Sequence, residues 1–327
     1  MANSADVTDR RTDVLTALLS MQRQSWEQGV AAHAAIDLGH TDLAVLLAHA
    51  AVTRQGADGR LGDLEMDDNA VNSGACGEAV LLAHRITGDA RYAEAAGRQL
   101  EWFTDHAPRA ADGTLFHMMD GHPNQHEAWA DTVYMAAPFL AVAGRTDLAE
   151  LQVQGHRRRL WDETSGLYSA IWREDDADFG RAAHWGTGSG WVVAAIARCL
   201  HLVADWPDGT REKLAGHARE VVDACLTHRR PDGLFHDVLD DPTTFRETNI
   251  AQMLAYTTLT GVADGWLPES YADTGRDLIE AATRQVDDRG LVTEACGSPR
   301  FDHSGTSSEA QAFHLLALAA RDRLDPR

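Results

Sequence analysis

Four short segments set an aromatic residue beside glycine, amides, carboxylates or histidine at the start of an apolar run. They are Ser25-Trp26-Glu27-Gln28-Gly29, His122-Pro123-Asn124-Gln125-His126-Glu127-Ala128-Trp129-Ala130-Asp131, His184-Trp185-Gly186-Thr187-Gly188-Ser189-Gly190-Trp191, and Phe245-Arg246-Glu247-Thr248-Asn249. Aromatic faces with a few polar groups suit sugar rings, whose C–H faces stack while their hydroxyls hydrogen-bond. A single Trp at such a place could equally close a gap between helices; four segments on one rim point to a binding cleft. Asp131 opens a helix that is otherwise apolar. Partial desolvation favours the protonated form of a carboxylate, the state a general acid needs near neutral pH. The plainer reading is a first-turn aspartate favoured by the helix dipole. Asp67-Asp68-Asn69 precedes a helix predicted over residues 73–87. Either a carboxylate there faces Asp131 across the cleft, or the segment is a solvated loop with Ser73 as helix N-cap. His117, His236 and His303 each follow a turn, and hydrogen bonding to ligand or loop backbone is their expected role. No HExxH or Cys/His spacing calls for a metal. Residues 186–190 are glycine-rich but lack a phosphate-loop lysine, and read as backbone lying close to a ligand.

These residues need a frame, and the sequence supplies a repeated one. Asp58-Gly59-Arg60-Leu61, Asp112-Gly113-Thr114-Leu115, Ser165-Gly166-Leu167-Tyr168, Asp232-Gly233-Leu234-Phe235 and Asp288-Arg289-Gly290-Leu291 recur roughly every 55 residues, with one longer gap before Gly233. Between the turns the pattern is helical, usually two helices. In residues 89–107, Tyr92, Ala95, Ala96, Leu100 and Phe103 keep helical spacing. Residues 129–143 and 191–203 are apolar nearly all round and should be buried on both sides, whereas residues 211–230 carry a broad polar face and should lie outside. Alternating inner and outer helices predict an all-α, closed ring of about six hairpins, each leaning on the next. Strand signals are confined to residues 166–172 and 233–239, expected as short hairpin-like loops on one rim and not a sheet.

Composition narrows the function classes. The 327 residues carry 29 basic and 50 acidic side chains, a net charge of −21. That balance gives no surplus cation for nucleic acid and is repelled by anionic membranes. Cys76, Cys199, Cys225 and Cys296 are far apart and read as buried thiols. With no signal-like N-terminus and no apolar run of membrane length, a reducing cytoplasm is expected. Residues 1–10 have no apolar face and are expected to be flexible, with residues 11–327 forming one domain.

Taken in order, the motifs resemble those of a known family. Trp129-Ala130-Asp131-Thr132-Val133-Tyr134-Met135, followed by Pro138-Phe139-Leu140, resembles the W-x-D-x-x-Y-M…P-F-L segment of the unsaturated glucuronyl and rhamnogalacturonyl hydrolases of glycoside hydrolase families 88 and 105. Thr87-Gly88-Asp89-Ala90-Arg91-Tyr92, Asp232-Gly233-Leu234-Phe235, Arg246-Glu247-Thr248 and Gly305-Thr306-Ser307-Ser308-Glu309-Ala310-Gln311-Ala312-Phe313 resemble further family segments. The resemblance implies an (α/α)6 barrel without metal or organic cofactor. It implies a small glycoside or oligosaccharide substrate and protonation and hydration of a Δ4,5-unsaturated uronyl enol ether. Asp131 would be the acid/base and Asp68 a partner carboxylate. Trp26, Asn69, His117, Trp129, Tyr134, Trp185, Thr187, Trp191 and Glu247 would surround the sugar.

Two positions depart from the family pattern. Thr187 stands where the W-G-R-G-x-G-W motif has arginine, and a threonine cannot pair bidentately with a carboxylate. Asn69 stands where D-x-x-N-x-G has aspartate. A related (α/α)6 enzyme with another proton-transfer reaction, an isomerase or dehydratase, and a non-catalytic sugar-binding protein are the alternatives.

Overall fold

The computed structural model describes residues 10–63, 68–298 and 301–325. Of residues 1–10, expected to be flexible, residues 1–9 lie outside the described residues, as does the candidate Asp67, while Arg10 is described and its Nη1 donates to the Val286 and Asp287 carbonyls at 2.6 and 2.7 Å. Twelve α-helices alternate between two rings: α1 (Arg11–Met21), α2 (Ser25–Asp37), α3 (Thr41–Thr53), α4 (Gly77–Thr87), α5 (Ala90–Glu101), α6 (Thr132–Val142), α7 (Thr146–Leu160), α8 (Gly186–Leu202), α9 (Thr210–Leu226), α10 (Asn249–Ala263), α11 (Tyr271–Thr283) and α12 (Ser308–Leu324). The even-numbered helices form the inner ring. α2 meets a 3-10 turn, Asn72–Cys76, that leads into α4; the turn meets α6, α6 meets α8, α8 meets α10, α10 meets α12, and α12 returns to α2. The odd-numbered helices pack outside them.

The apolar pattern explains the assignment. α6 is buried from Thr132 to Leu140 and α8 from Gly186 to Leu200, because each is covered by ring neighbours and by its outer partner. The outer α9 exposes one face, as its polar stripe requires. The repeated turns are real: Gly59, Gly113, Gly166, Gly233 and Gly290 all have positive φ, from 69° to 100°, backbone that side-chain-bearing residues rarely adopt.

Two details differ from the sequence reading. The helix after Trp129 begins only at Thr132, because residues 127–129 are extended. They form β1 (Glu127–Trp129) of a three-stranded antiparallel sheet, with β4 (Ile171–Arg173) at its centre and β5 (Asp178–Arg181) at its far edge. The only other pairs among the described residues are β2 (Trp161–Asp162) with β3 (Leu167–Tyr168), and β6 (Phe235–His236) with β7 (Arg246–Glu247). Ser73 is also not the cap before α4. The N-cap residue of α4 is Cys76, which makes no side-chain cap, and upstream the Asn69 side-chain oxygen accepts from the Val71 and Asn72 N–H groups at 2.8 and 2.7 Å, at the entry to the 3-10 turn.

Candidate active site

The rim that carries the N-termini of the inner helices opens into a cavity of about 300 Å3. Trp26 comes from the first turn of α2, Asn69 and Asn72 from the approach to α4, Trp129 and Asp131 from the approach to α6, and Trp185 and Trp191 from the start of α8. His117 and Met118 line the cavity from the loop before β1. Phe301 completes the wall, with its ring centroid 6.5 Å from Trp26 and 6.1 Å from Trp185. Four indoles around a few polar groups give the surface that a pyranose ring needs.

Asp131 sits at the N-cap of α6 but does not cap it; its side chain accepts no hydrogen bond from the helix. The carboxylate is 18% exposed, and its Oδ1 is buried with no hydrogen-bond partner among the described residues. A buried carboxylate oxygen left unpaired by its own chain is costly, and so marks a place where a ligand or water makes up the bond. His117 stands next to it, with Nδ1 3.8 Å from Asp131 Oδ1. That ring is fixed twice, by a 2.8 Å hydrogen bond between Nδ1 and Thr132 Oγ1 and by stacking on Trp129 at 4.2 Å and 5°.

The indoles are held from behind by carboxylates. Trp129 Nε1 donates to Glu127 at 2.7 Å, and Trp185 Nε1 donates to Asp237 at 3.1 Å. Burial pushes the Asp237 carboxyl up to about 6, against the pull of nearby Arg181 and the Trp185 hydrogen bond. Behind the wall lie two fully buried carboxyls. Burial pushes Glu247 up to about 7 and Glu309 up to about 8. Among the described residues no cluster of three His, Cys, Asp or Glu side chains is arranged to hold a metal ion.

Six of the residues singled out from the sequence meet directly in the cavity wall besides Asp131: Trp26, Asn69, His117, Trp129, Trp185 and Trp191. Four others do not line it. Asp68 is exposed, and its contribution there is a backbone carbonyl that accepts from Met119 N at 2.8 Å. Thr187 is buried with its hydroxyl 3.3 Å from Cys296 Sγ. Glu247 accepts from the Ile250 N–H at 2.8 Å and the Cys296 N–H at 3.2 Å, tying the start of α10 to the loop between α11 and α12. Tyr134 is fully buried beneath Trp191, its hydroxyl 3.1 Å from His33 Nδ1. The sequence reading missed Gln24, Asn72, Met118, Met135, Ser298 and Phe301. Gln24 and Met118 adjoin residues that were found; Phe301 lies in a loop with no motif of its own.

A closed ring of six helical hairpins with an aromatic cleft and a partly buried carboxylate at the inner N-termini defines the six-hairpin glycosidase class. The chain belongs to Glycosyl Hydrolase Family 88, whose sequence profile matches residues 3–318. It is 28% identical over 194 residues to the unsaturated rhamnogalacturonyl hydrolase YesR of Bacillus subtilis (strain 168), covering 57% of this chain and 56% of that one. It is 23% identical to an unsaturated 3S-rhamnoglycuronyl hydrolase of Alteromonas sp. (strain LOR), covering 63% and 53%. The chain thus spans just over half the length of the curated relatives it matches. A solved structure, a possible member of family GH105 from Klebsiella pneumoniae subsp. pneumoniae MGH 78578, shares the fold with a TM-score of 0.84. It is 19% identical and covers 98% of this chain and 93% of its own.

Proposed function

We propose that this protein hydrolyses a small glycoside or oligosaccharide bearing an unsaturated uronyl residue, with Asp131 as general acid and base. The observation that supports it most is the Asp131 Oδ1 atom, buried in an aromatic cleft and without a hydrogen-bond partner among the described residues. Asp131 would protonate C4 of the enol ether, leaving an oxocarbenium ion across C5 and the ring oxygen. Water adds at C5 and returns a proton to the Asp131 carboxylate. The resulting hemiketal opens, and the hemiacetal left at C1 expels the alcohol, so the glycosidic bond is lost without displacement at the anomeric carbon. His117, locked by Thr132 and Trp129, would orient the sugar or the carboxylate. The helix N-termini that converge on the cleft favour the negative charge of a uronate. Four buried thiols suit a reducing compartment such as the cytoplasm.

The direct test is the ultraviolet absorbance of the conjugated enol ether in unsaturated disaccharides from pectin and from glycosaminoglycans. Turnover removes the chromophore, so a steady decay supports the reading. A panel with no decay rejects it. Asn69, where the family pattern has aspartate, favours a second reading: a sugar-binding protein without turnover. Calorimetric binding with no chromophore loss would establish that one.

A further inference from the structure

No Arg or Lys side chain lines the cavity among the described residues, and Thr187 is turned into the core against Cys296. An organised cation beside two of the wall indoles comes from another element. Arg181 closes β5, and its cross-strand partner is Ile171, whose own partner on the other side is Trp129. Directly paired residues project from the same face of a sheet, so Arg181 leaves on the face of the cavity-lining Trp129. A bulge between β4 and β5 sets this aim: Ile171 pairs with Arg181 while Trp172 pairs with Phe179, leaving Gly180 as the extra residue. Gly180 has no room for a side chain, since a Cβ would sit 2.9 Å from the Ile171 Cγ2. The Arg181 guanidinium lies 5.8 Å from the centroid of Trp185, a second wall residue, and 3.6 Å from Asp237 Oδ2, the carboxylate that also holds the Trp185 indole. Stacking and that ion pair fix the group in place. Yet its N–H donors make no hydrogen bond to any described residue, and the side chain remains 34% exposed. A planar, pre-positioned, hydrogen-bond-hungry guanidinium is the group that reads carboxylates.

We propose that Arg181, re-aimed by the bulge at Gly180, is the specificity residue that binds an anionic group of the substrate sugar at the cleft mouth, in place of the arginine that Thr187 lacks. This rests on the uronyl reading above. The anion is the carboxylate of the uronyl ring or a sulfate on the adjoining sugar, and the two are separable by substrate choice.

The experiment compares wild type, Arg181→Gln and Arg181→Lys on an unsulfated unsaturated uronyl disaccharide, its methyl ester, and a sulfated counterpart of the ester. Binding is read by calorimetry in an Asp131→Asn background, and turnover by chromophore loss. Arg181→Gln should weaken binding of the free acid about 10- to 100-fold, as expected for a lost charge-assisted pair. It should leave the methyl ester within about threefold, and Arg181→Lys should restore part of the loss. If the discrimination appears only on the sulfated ester, the anion is sulfate. Equal losses on all ligands, or none, overturn the proposal while turnover by wild type keeps the uronyl reading. Charge-selective binding without turnover has the opposite result: Arg181 keeps its role and the hydrolase reading falls. Absence of binding to every ligand overturns both.

Discussion

At the scale of single residues, the site is built from one carboxylate with an oxygen that lacks a hydrogen bond among the described residues and several that are tied down. Glu127 and Asp237 orient indoles, and Glu247 holds two backbone N–H groups, whereas Asp131 in the cavity wall keeps an oxygen without a hydrogen bond among the described residues. Replacing Asp131 with Asn keeps size and polarity but removes the transferable proton. Turnover of an unsaturated disaccharide should fall on the order of 100-fold or more while calorimetric affinity changes little; near-full activity would remove Asp131 from this role. Glu309 allows a second prediction. Its carboxyl is pushed up to about 8 by burial, and then by hydrogen bonding and neighbouring Glu27 in opposing directions. The folded state therefore holds a proton that the unfolded chain releases at lower pH. The stabilisation this gives is complete below the ordinary glutamate range and is lost as pH rises towards about 8. Glu309→Gln keeps the neutral shape, so its thermal midpoint should fall less than that of wild type between mildly acid and mildly alkaline buffer, by about 2–4 °C for each ~1 kcal/mol involved. Parallel curves would show that Glu309 does not titrate in this range. Asp131 could be found in the sequence because a charge opening a wholly apolar helix is conspicuous. The roles of Asp68 and Asn69 could not, because they depend on which of two neighbouring residues turns inward, and three bonds of backbone geometry decide that. Asn69 turns in and holds the backbone at the entry to the 3-10 turn; Asp68 turns out.

At the scale of elements, the inner ring closes through glycines placed where helices cross. A Cβ on Gly77 would lie 2.2 Å from the Phe139 ring, one on Gly29 2.4 Å from Ala75 Cβ, and one on Gly190 2.5 Å from Met253 Sδ. α2 with the 3-10 turn, α4 with α6, and α8 with α10 thus approach more closely than any side chain allows. Gly77→Ala would ordinarily gain helix propensity. Here it must displace an aromatic ring packed on all sides, so a net loss of roughly 1–3 kcal/mol is expected, the usual cost of overpacking. The urea midpoint of the variant checks this, and an unchanged or raised midpoint would show that Phe139 has space to move. The hairpins themselves were legible from sequence, because turn glycines and helical periodicity are local signals. Gly88 and Gly144 end α4 and follow α6 in left-handed backbone, as their positions suggest. The three-stranded sheet was not legible. β1 and β5 are separated by residues 130–177, and each is too short to show alternation, so only the pairing with β4 makes them strands. The bulge that aims Arg181 follows from that pairing and was hidden for the same reason.

At the scale of the whole molecule, the six inner helices are joined by one buried polar network centred on an arginine. Arg198, fully buried on α8, makes a bidentate pair with Glu78 of α4 at 2.6 and 2.7 Å, and also reaches Tyr256 of α10 at 3.2 Å and Asp37 of α2 at 3.3 Å. Asp37 is shared with Arg323 of α12 at 3.2 Å. His33 of α2 lies 3.5 Å from Glu78 and 3.1 Å from the Tyr134 hydroxyl of α6, which brings in the last helix. Burial, and then the Arg198 charge, hold His33 well below the usual histidine range, so it enters the network as a neutral ring. The network has no local signature within the nearly all-apolar residues 191–203, because the partners of Arg198 come from distant parts of the chain. An ion pair so deeply buried adds little net stability over well-packed apolar side chains, since both charges lose their water. Removing one member is different, because Glu78 and Asp37 would then be stranded without a counter-ion. Arg198→Met should therefore destabilise the protein by ~3–5 kcal/mol, read as a lowered urea midpoint at unchanged slope. Arg198→Met combined with Glu78→Gln should cost less than the two single changes added together, because the stranded charge is removed with its partner. If Arg198→Met alone costs less than about 1 kcal/mol, or the double variant is simply additive, then the ring is closed by its apolar faces and its glycine crossings, and the central ion pair is not what joins the six helices.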